Sequence, residues 1–182
     1  MILLPLRRFL LIGLVFVAFS FVSLGQTAIK YPVPTGNPNQ LFFLQRDPNT
    51  NTIVYELNFK SNGELDIENP VHPYWVRYHD KGQKEELNYI QRNFAYGLKS
   101  KTIGKDQYEL HFVSYKTKLF YLKKGTDNKF ILFTDINKKP AIIKQIFVRV
   151  KGGSFWLPNV EYVEFKGTDP SNGTEVVERM KI

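Results

Sequence analysis

Beyond Leu41 the chain alternates apolar and polar residues in short runs, each closed by turn residues. Tyr108, Leu110 and Phe112 alternate with Glu109 and His111, the period-two signature of a half-buried strand. The same pattern predicts strands over residues 41–46, 52–59, 74–78, 108–114, 119–123, 130–135, 141–150, 160–166 and 175–181. Their connections are short and rich in turn chemistry: Asp47-Pro48-Asn49-Thr50-Asn51, Asn62-Gly63, Tyr115-Lys116-Thr117, Gly125-Thr126-Asp127-Asn128, Asn137-Lys138-Lys139-Pro140 and Pro170-Ser171-Asn172-Gly173. Tight loops between successive strands predict an all-β fold, an antiparallel meander of about nine to ten strands. A meander of that length has to curl and close as a barrel, the expected form, or split into the alternative two-sheet β-sandwich, since alternation fits both.

One stretch departs from period two. Leu87, Ile90, Phe94 and Leu98 recur at steps of three, four and four, which predicts one short helix near residues 84–97. Glu85 and Glu86 suit its first turn and Gly97 its C-terminal cap. In the preceding strand, Tyr74, Val76 and Tyr78 share one face and Trp75 and Arg77 the other. With the first set turned to the core, Trp75 and Arg77 project outward; the alternative is Trp75 packed under the helix with Arg77 paired to Glu85 or Glu86.

The N-terminus changes the setting. Arg7 and Arg8 precede a nearly unbroken apolar run over residues 9–24, and Ser23 and Gly25 precede Gln26 at small-residue positions. This is the pattern of a secretory signal peptide, shorter than the roughly 20 residues that span a bilayer comfortably. We therefore expect residues 1–25 to be a signal peptide, residues 26–40 a proline-rich linker, and residues 41–182 a single β-rich domain. The expected location is exported, either periplasmic or secreted, with membrane attachment only if the signal segment is retained. An exported setting argues against ATP-driven and cytosolic redox chemistry.

Composition narrows the field further. The formal net charge of +8 is scattered and contains no run of five basic residues, so a nucleic-acid partner is not expected. The absence of cysteine removes disulfides, thiolate catalysis and cysteine-ligated metals. Fifteen Phe, ten Tyr and two Trp must supply the stability by burial instead.

Candidate chemistry concentrates in residues 69–98. On the predicted helix, Glu85, Tyr89, Arg92 and Tyr96 lie opposite the apolar stripe, and two tyrosines are unusual on a face that meets only water. Trp75, Arg77, Tyr89, Arg92, Tyr96 and the nearby His72 form the candidate ligand site: aromatic rings to stack on a ligand and guanidinium groups to hold a polar or anionic part. His72 and His79 are seven residues apart and no His-x-x-x-His pair occurs, so no metal site and no cofactor are expected. With no Gly-x-Ser-x-Gly elbow and only wet-face carboxylates, no catalytic residue is assigned.

The block Asn69-Pro70-Val71, Tyr74-Trp75-Val76-Arg77-Tyr78, Glu86-Leu87-Asn88-Tyr89-Ile90-Gln91-Arg92 and Phe94-Ala95-Tyr96-Gly97-Leu98 resembles the bacterial domain of unknown function 4833 family of exported proteins. The ending, from Pro158-Asn159-Val160 to Phe165-Lys166-Gly167 with Asn172-Gly173 and Glu175-Val176, is similar as well. The signal region resembles those of Bacteroidetes-type exported proteins. The resemblance implies no established activity and transfers no catalytic residue. The expected function is an exported, non-enzymatic binding module for a small or extended ligand, engaged by the aromatic and arginine side chains or held inside a lipocalin-like barrel. The alternatives are an envelope protein–protein interaction or structural domain, and a hydrolase using His72 or a carboxylate near Arg77. The expected partner is a small molecule, a glycan or an envelope protein.

Overall fold

The computed structural model describes residues 29–154 and 157–181; the expected signal peptide lies outside the described residues. The all-β expectation holds. Eleven strands form one sheet: β1 Gln40–Arg46, β2 Asn49–Leu57, β3 Val71–Arg77, β4 Gln83–Glu86, β5 Leu98–Gly104, β6 Gln107–Phe112, β7 Tyr115–Lys124, β8 Phe130–Ile136, β9 Lys139–Gly153, β10 Pro158–Thr168 and β11 Glu175–Lys181. Nine follow one another in the order β4-β3-β2-β1-β9-β8-β7-β6-β5; β10 pairs with β9, and β11 pairs with β10. The sheet curls into an open half-barrel.

Strand β9 joins the two halves. Its first residues, Lys139 to Ile142, pair antiparallel with β8, and Gln145 to Val148 pair parallel with β1. Ile146 pairs with Leu44 of β1 and also with Phe165 of β10, so β10 lies on the edge opposite β1. At the point where β10 crosses Ile142, Gly167 is required: a Cβ there would lie 2.5 Å from the Ile142 carbonyl oxygen.

Three expectations need correction. The meander is not wholly antiparallel, because β1 returns to the C-terminal half through the parallel ladder with β9. Two strands, β4 and β5, are additional to the nine predicted. Finally, the helix over residues 84–97 shrinks to a single π-helical turn, Gln91–Ala95, entered from Tyr89 and Ile90. Its first residues are taken by β4, because β3 presents an open edge and the chain reverses sharply to meet it. Lys81 and Gly82, at φ 61° and 77°, make that reversal, and Trp75 then pairs in register with Glu85. A local helical pattern thus loses to a neighbouring strand's unpaired backbone groups.

The interior is aromatic. Phe42 stacks on Tyr55 at 4.2 Å between ring centroids and on Phe120 at 5.9 Å, and Phe112 meets all three edge-on. This stack holds the β1–β3 half to the β6–β8 half. The opposite face of β1–β3 is also covered. Phe43, Val54 and Tyr74 form a second, smaller apolar cluster with Val76. Residues of the expected linker lie over that side: Gln45 donates to the Pro32 carbonyl (2.7 Å), Tyr31 packs edge-on against Phe147, and Asn37 donates to Tyr74 and Glu56. Lysines mark the ends of the strand path, Lys99 and Lys101 on β5 and Lys84 on β4, where they discourage pairing with another chain.

Phe42 and Phe94 read alike in the sequence but differ here: Phe42 is 1% exposed and Phe94 67%. Phe42→Ala is expected to lower stability by about 3–5 kcal/mol, and Phe94→Ala to change it by less than about 0.5 kcal/mol. Urea unfolding of both variants checks this; equal losses would mean that the turn is part of the core.

Candidate functional site

The open end of the half-barrel holds a cavity of about 450 Å³. Its floor follows strand alternation on β1 (Leu44 and Arg46) and β9 (Ile146, Val148 and Val150), and on β10 a register shift between Val160 and Tyr162 accompanies the three-residue step that adds Val160 to Val163 and Phe165. The π-helical turn forms one wall, contributing Ile90, Phe94 and Tyr96. This explains the apolar stripe that suggested a helix. Leu87 enters the core at 4% exposure, whereas Ile90 and Phe94 stay 46% and 67% exposed along the cavity rim. Gly97 lets the chain leave the turn, since a Cβ there would overlap the Arg92 carbonyl oxygen at 1.9 Å.

Few polar side chains line this cavity. Lys118 donates to Glu178 at 3.0 Å and lies over the Phe165 ring, so its charge is already matched. Ser114 donates its hydroxyl proton to the Ala95 carbonyl. Arg46 donates from Nη1 to the Tyr96 hydroxyl at 3.3 Å and has no carboxylate partner among the described residues. Gln91 accepts from Trp75 Nε1 (3.2 Å) and from the Asn88 amide (3.1 Å) through its side-chain oxygen, which leaves its N–H groups as what it can offer. Among the described residues, the lining contains two cations and no carboxylate.

The structure divides the six residues expected to form a ligand site. Trp75 is buried at 6% exposure and faces the main core, so of the two arrangements the sequence allowed, the structure shows the packed one with Arg77 paired to Glu85, not the outward projection. Both faces of β3 are covered, and alternation could not tell which one met the core. Arg77 lies over the Trp75 ring at 5.4 Å and forms a two-pronged pair with Glu85, at 2.7 and 3.0 Å. Tyr96 meets Trp75 edge-on at 5.5 Å and also lines the cavity. Arg92 and His72 both contact Glu86, at 3.3 and 2.8 Å. Tyr89 stands at 76% exposure beside Phe94. Of the six, only Tyr96 is a cavity residue. Arg46 was passed over, although its place after Phe42 and Leu44 on one strand face marks a cation pointing inward. Among the described residues, no group of three or more His, Asp or Glu side chains is arranged to hold a metal ion.

A family model described as a domain of unknown function (DUF4833) matches residues 42–179. No curated protein and no solved structure matches the chain.

On the outer side of β2–β4, Glu56 is the centre of a polar cluster. It accepts from Lys84 (2.8 Å) and Asn37 and contacts His72 (3.1 Å), whose other ring nitrogen meets Glu86. Burial alone would raise the Glu56 carboxyl, but the hydrogen bonds from Lys84, Asn37 and His72 outweigh it and hold the group below its ordinary value of 4.5. Stabilisation from this carboxylate is therefore fully present above pH 4.5 and is lost as pH falls through the depressed folded value. Glu56→Gln is expected to cost about 1–3 kcal/mol at neutral pH and to flatten the loss of stability on acidification. Urea midpoints measured across the acid range test this, and an acid limb identical to wild type would remove Glu56 as a source.

Proposed function

The chain belongs to the DUF4833 family, and from that premise we propose that it is an exported, non-enzymatic binding module whose ligand, an apolar or amphiphilic small molecule, enters the open end of the half-barrel. One observation supports this reading above the others. A cavity of about 450 Å³, lined mostly by aliphatic and aromatic side chains with a few polar groups gathered beside Tyr96, is the form small-molecule sites take. The apolar segment over residues 9–24 supports export.

The cavity favours ligand capture within the fold over stacking on an exposed tryptophan. Trp75 serves instead as support, fixing Gln91 through its indole N–H and Tyr96 through its ring. A protein–protein role has the exposed pair Tyr89 and Phe94 in its favour. A concave apolar lining nevertheless suits a small molecule better than a flat partner surface.

The test uses Nile red, an uncharged dye that brightens in apolar surroundings, with protein stripped of copurifying lipid. Wild type is expected to raise its emission with saturable binding. Val148→Trp, which places a large ring in the middle of the lining, should abolish the signal while melting like wild type. Equal emission from both proteins would put the dye elsewhere and remove the support for the cavity.

A further inference from the structure

The polar groups gathered around Tyr96 share one sense. Arg46 offers a guanidinium that no carboxylate neutralises among the described residues, and its one side-chain partner is the Tyr96 hydroxyl. That hydroxyl accepts from Arg46, so its own proton is free to be donated. Gln91, tied to Tyr96 through Trp75, has its side-chain oxygen occupied twice and retains its N–H donors. Lys118, the other cation, is matched by Glu178. The site therefore combines one cation with no carboxylate partner among the described residues, free O–H and N–H donors beside it, and a mostly apolar lining.

We propose that the cavity takes a single-chain amphiphile with a monoanionic carboxylate head, the head seated on Arg46 and Tyr96 and the chain lying along Leu44, Val148, Val163 and Phe165. The proposal rests on the cavity being the binding site and goes further by naming the ligand's chemistry. A guanidinium presents parallel N–H groups that match the two oxygens of a carboxylate, and Tyr96 can donate one more hydrogen bond. One free cation matches one negative charge, whereas a dianionic phosphate head would leave half its charge unmatched in apolar surroundings. A neutral head would leave Arg46 without a counter-charge beside an apolar wall, and a cationic head would be repelled by Arg46 and Lys118 together.

The experiment displaces Nile red with dodecanoate, dodecanol and dodecyltrimethylammonium at neutral pH, below their micelle concentrations. These probes share one chain and differ in head charge. In wild type, dodecanoate is expected to bind about tenfold or more tighter than dodecanol, consistent with a charge-assisted pair, and the ammonium probe more weakly than either. Arg46→Gln should bring the dodecanoate-to-dodecanol ratio near one, and Arg46→Lys should leave it between the two, since it keeps the charge without the fork. The wild-type comparison requires no variant to fold. Equal affinity for dodecanoate and dodecanol in wild type overturns the proposal while leaving the cavity as the site, as does a preference that survives Arg46→Gln. If neither Nile red nor any probe binds wild type, the cavity reading fails and the proposal fails with it.

Discussion

The stacking of Phe42 between Tyr55 and Phe120 is the contact on which the rest of the molecule depends. It joins strands from opposite halves of the sheet, and Phe112 closes it edge-on. At this level the half-barrel is filled by large buried rings. Beyond it, β9 and β10 run on with Val148, Val150, Val160 and Val163, whose small side chains do not reach across the space, and the curl opens into the cavity. Phe112 belongs to both regions, in the stack on one side and the cavity wall on the other. Core and site are therefore one continuous apolar surface, filled at one end and concave at the other.

Strands were legible in the sequence wherever one face is buried and the other wet. Phe130–Ile136 and Gln107–Phe112 alternate cleanly, and their turns carry Asp, Asn and Gly. Two strands were not legible because they have little to bury. β4, with the sequence Gln83-Lys84-Glu85-Glu86, is exposed throughout, and β5 carries Lys99 and Lys101 at the end of the sheet. Such edge strands form because a neighbour offers unpaired backbone, a cause that leaves no hydrophobic pattern behind. The parallel pairing of β1 with β9 was equally invisible, since nothing local in either strand specifies a partner so distant in sequence.

The candidate site was half legible. The apolar stripe over residues 87–98 divides between two jobs instead of forming a helix face: Leu87 packs into the core and Leu98 against it, while Ile90 and Phe94 line the cavity. The two-faced character of β3 was also correct, but the buried face was the one carrying Trp75. Periodicity fixes which residues share a face; it does not say which face meets the core when a strap of preceding chain covers the other. Arg46 shows the converse case. It follows Phe42 and Leu44 at period two, a charge at the end of an apolar series, and that break in the pattern is what places a cation in the cavity lining.

The β1–β9 ladder also imposes an order on folding. Phe43 and Gln145 are register partners across some hundred residues of intervening chain, so closing that contact carries a large loop-closure entropy. A nascent chain that has emerged only as far as β8 has its β1 edge unpaired and the inner face of β1–β3 uncovered by β9 and β10. Until β9 is made and docked, the N-terminal half is an adhesive sheet edge with no partner of its own, the species that chaperones are suited to shield.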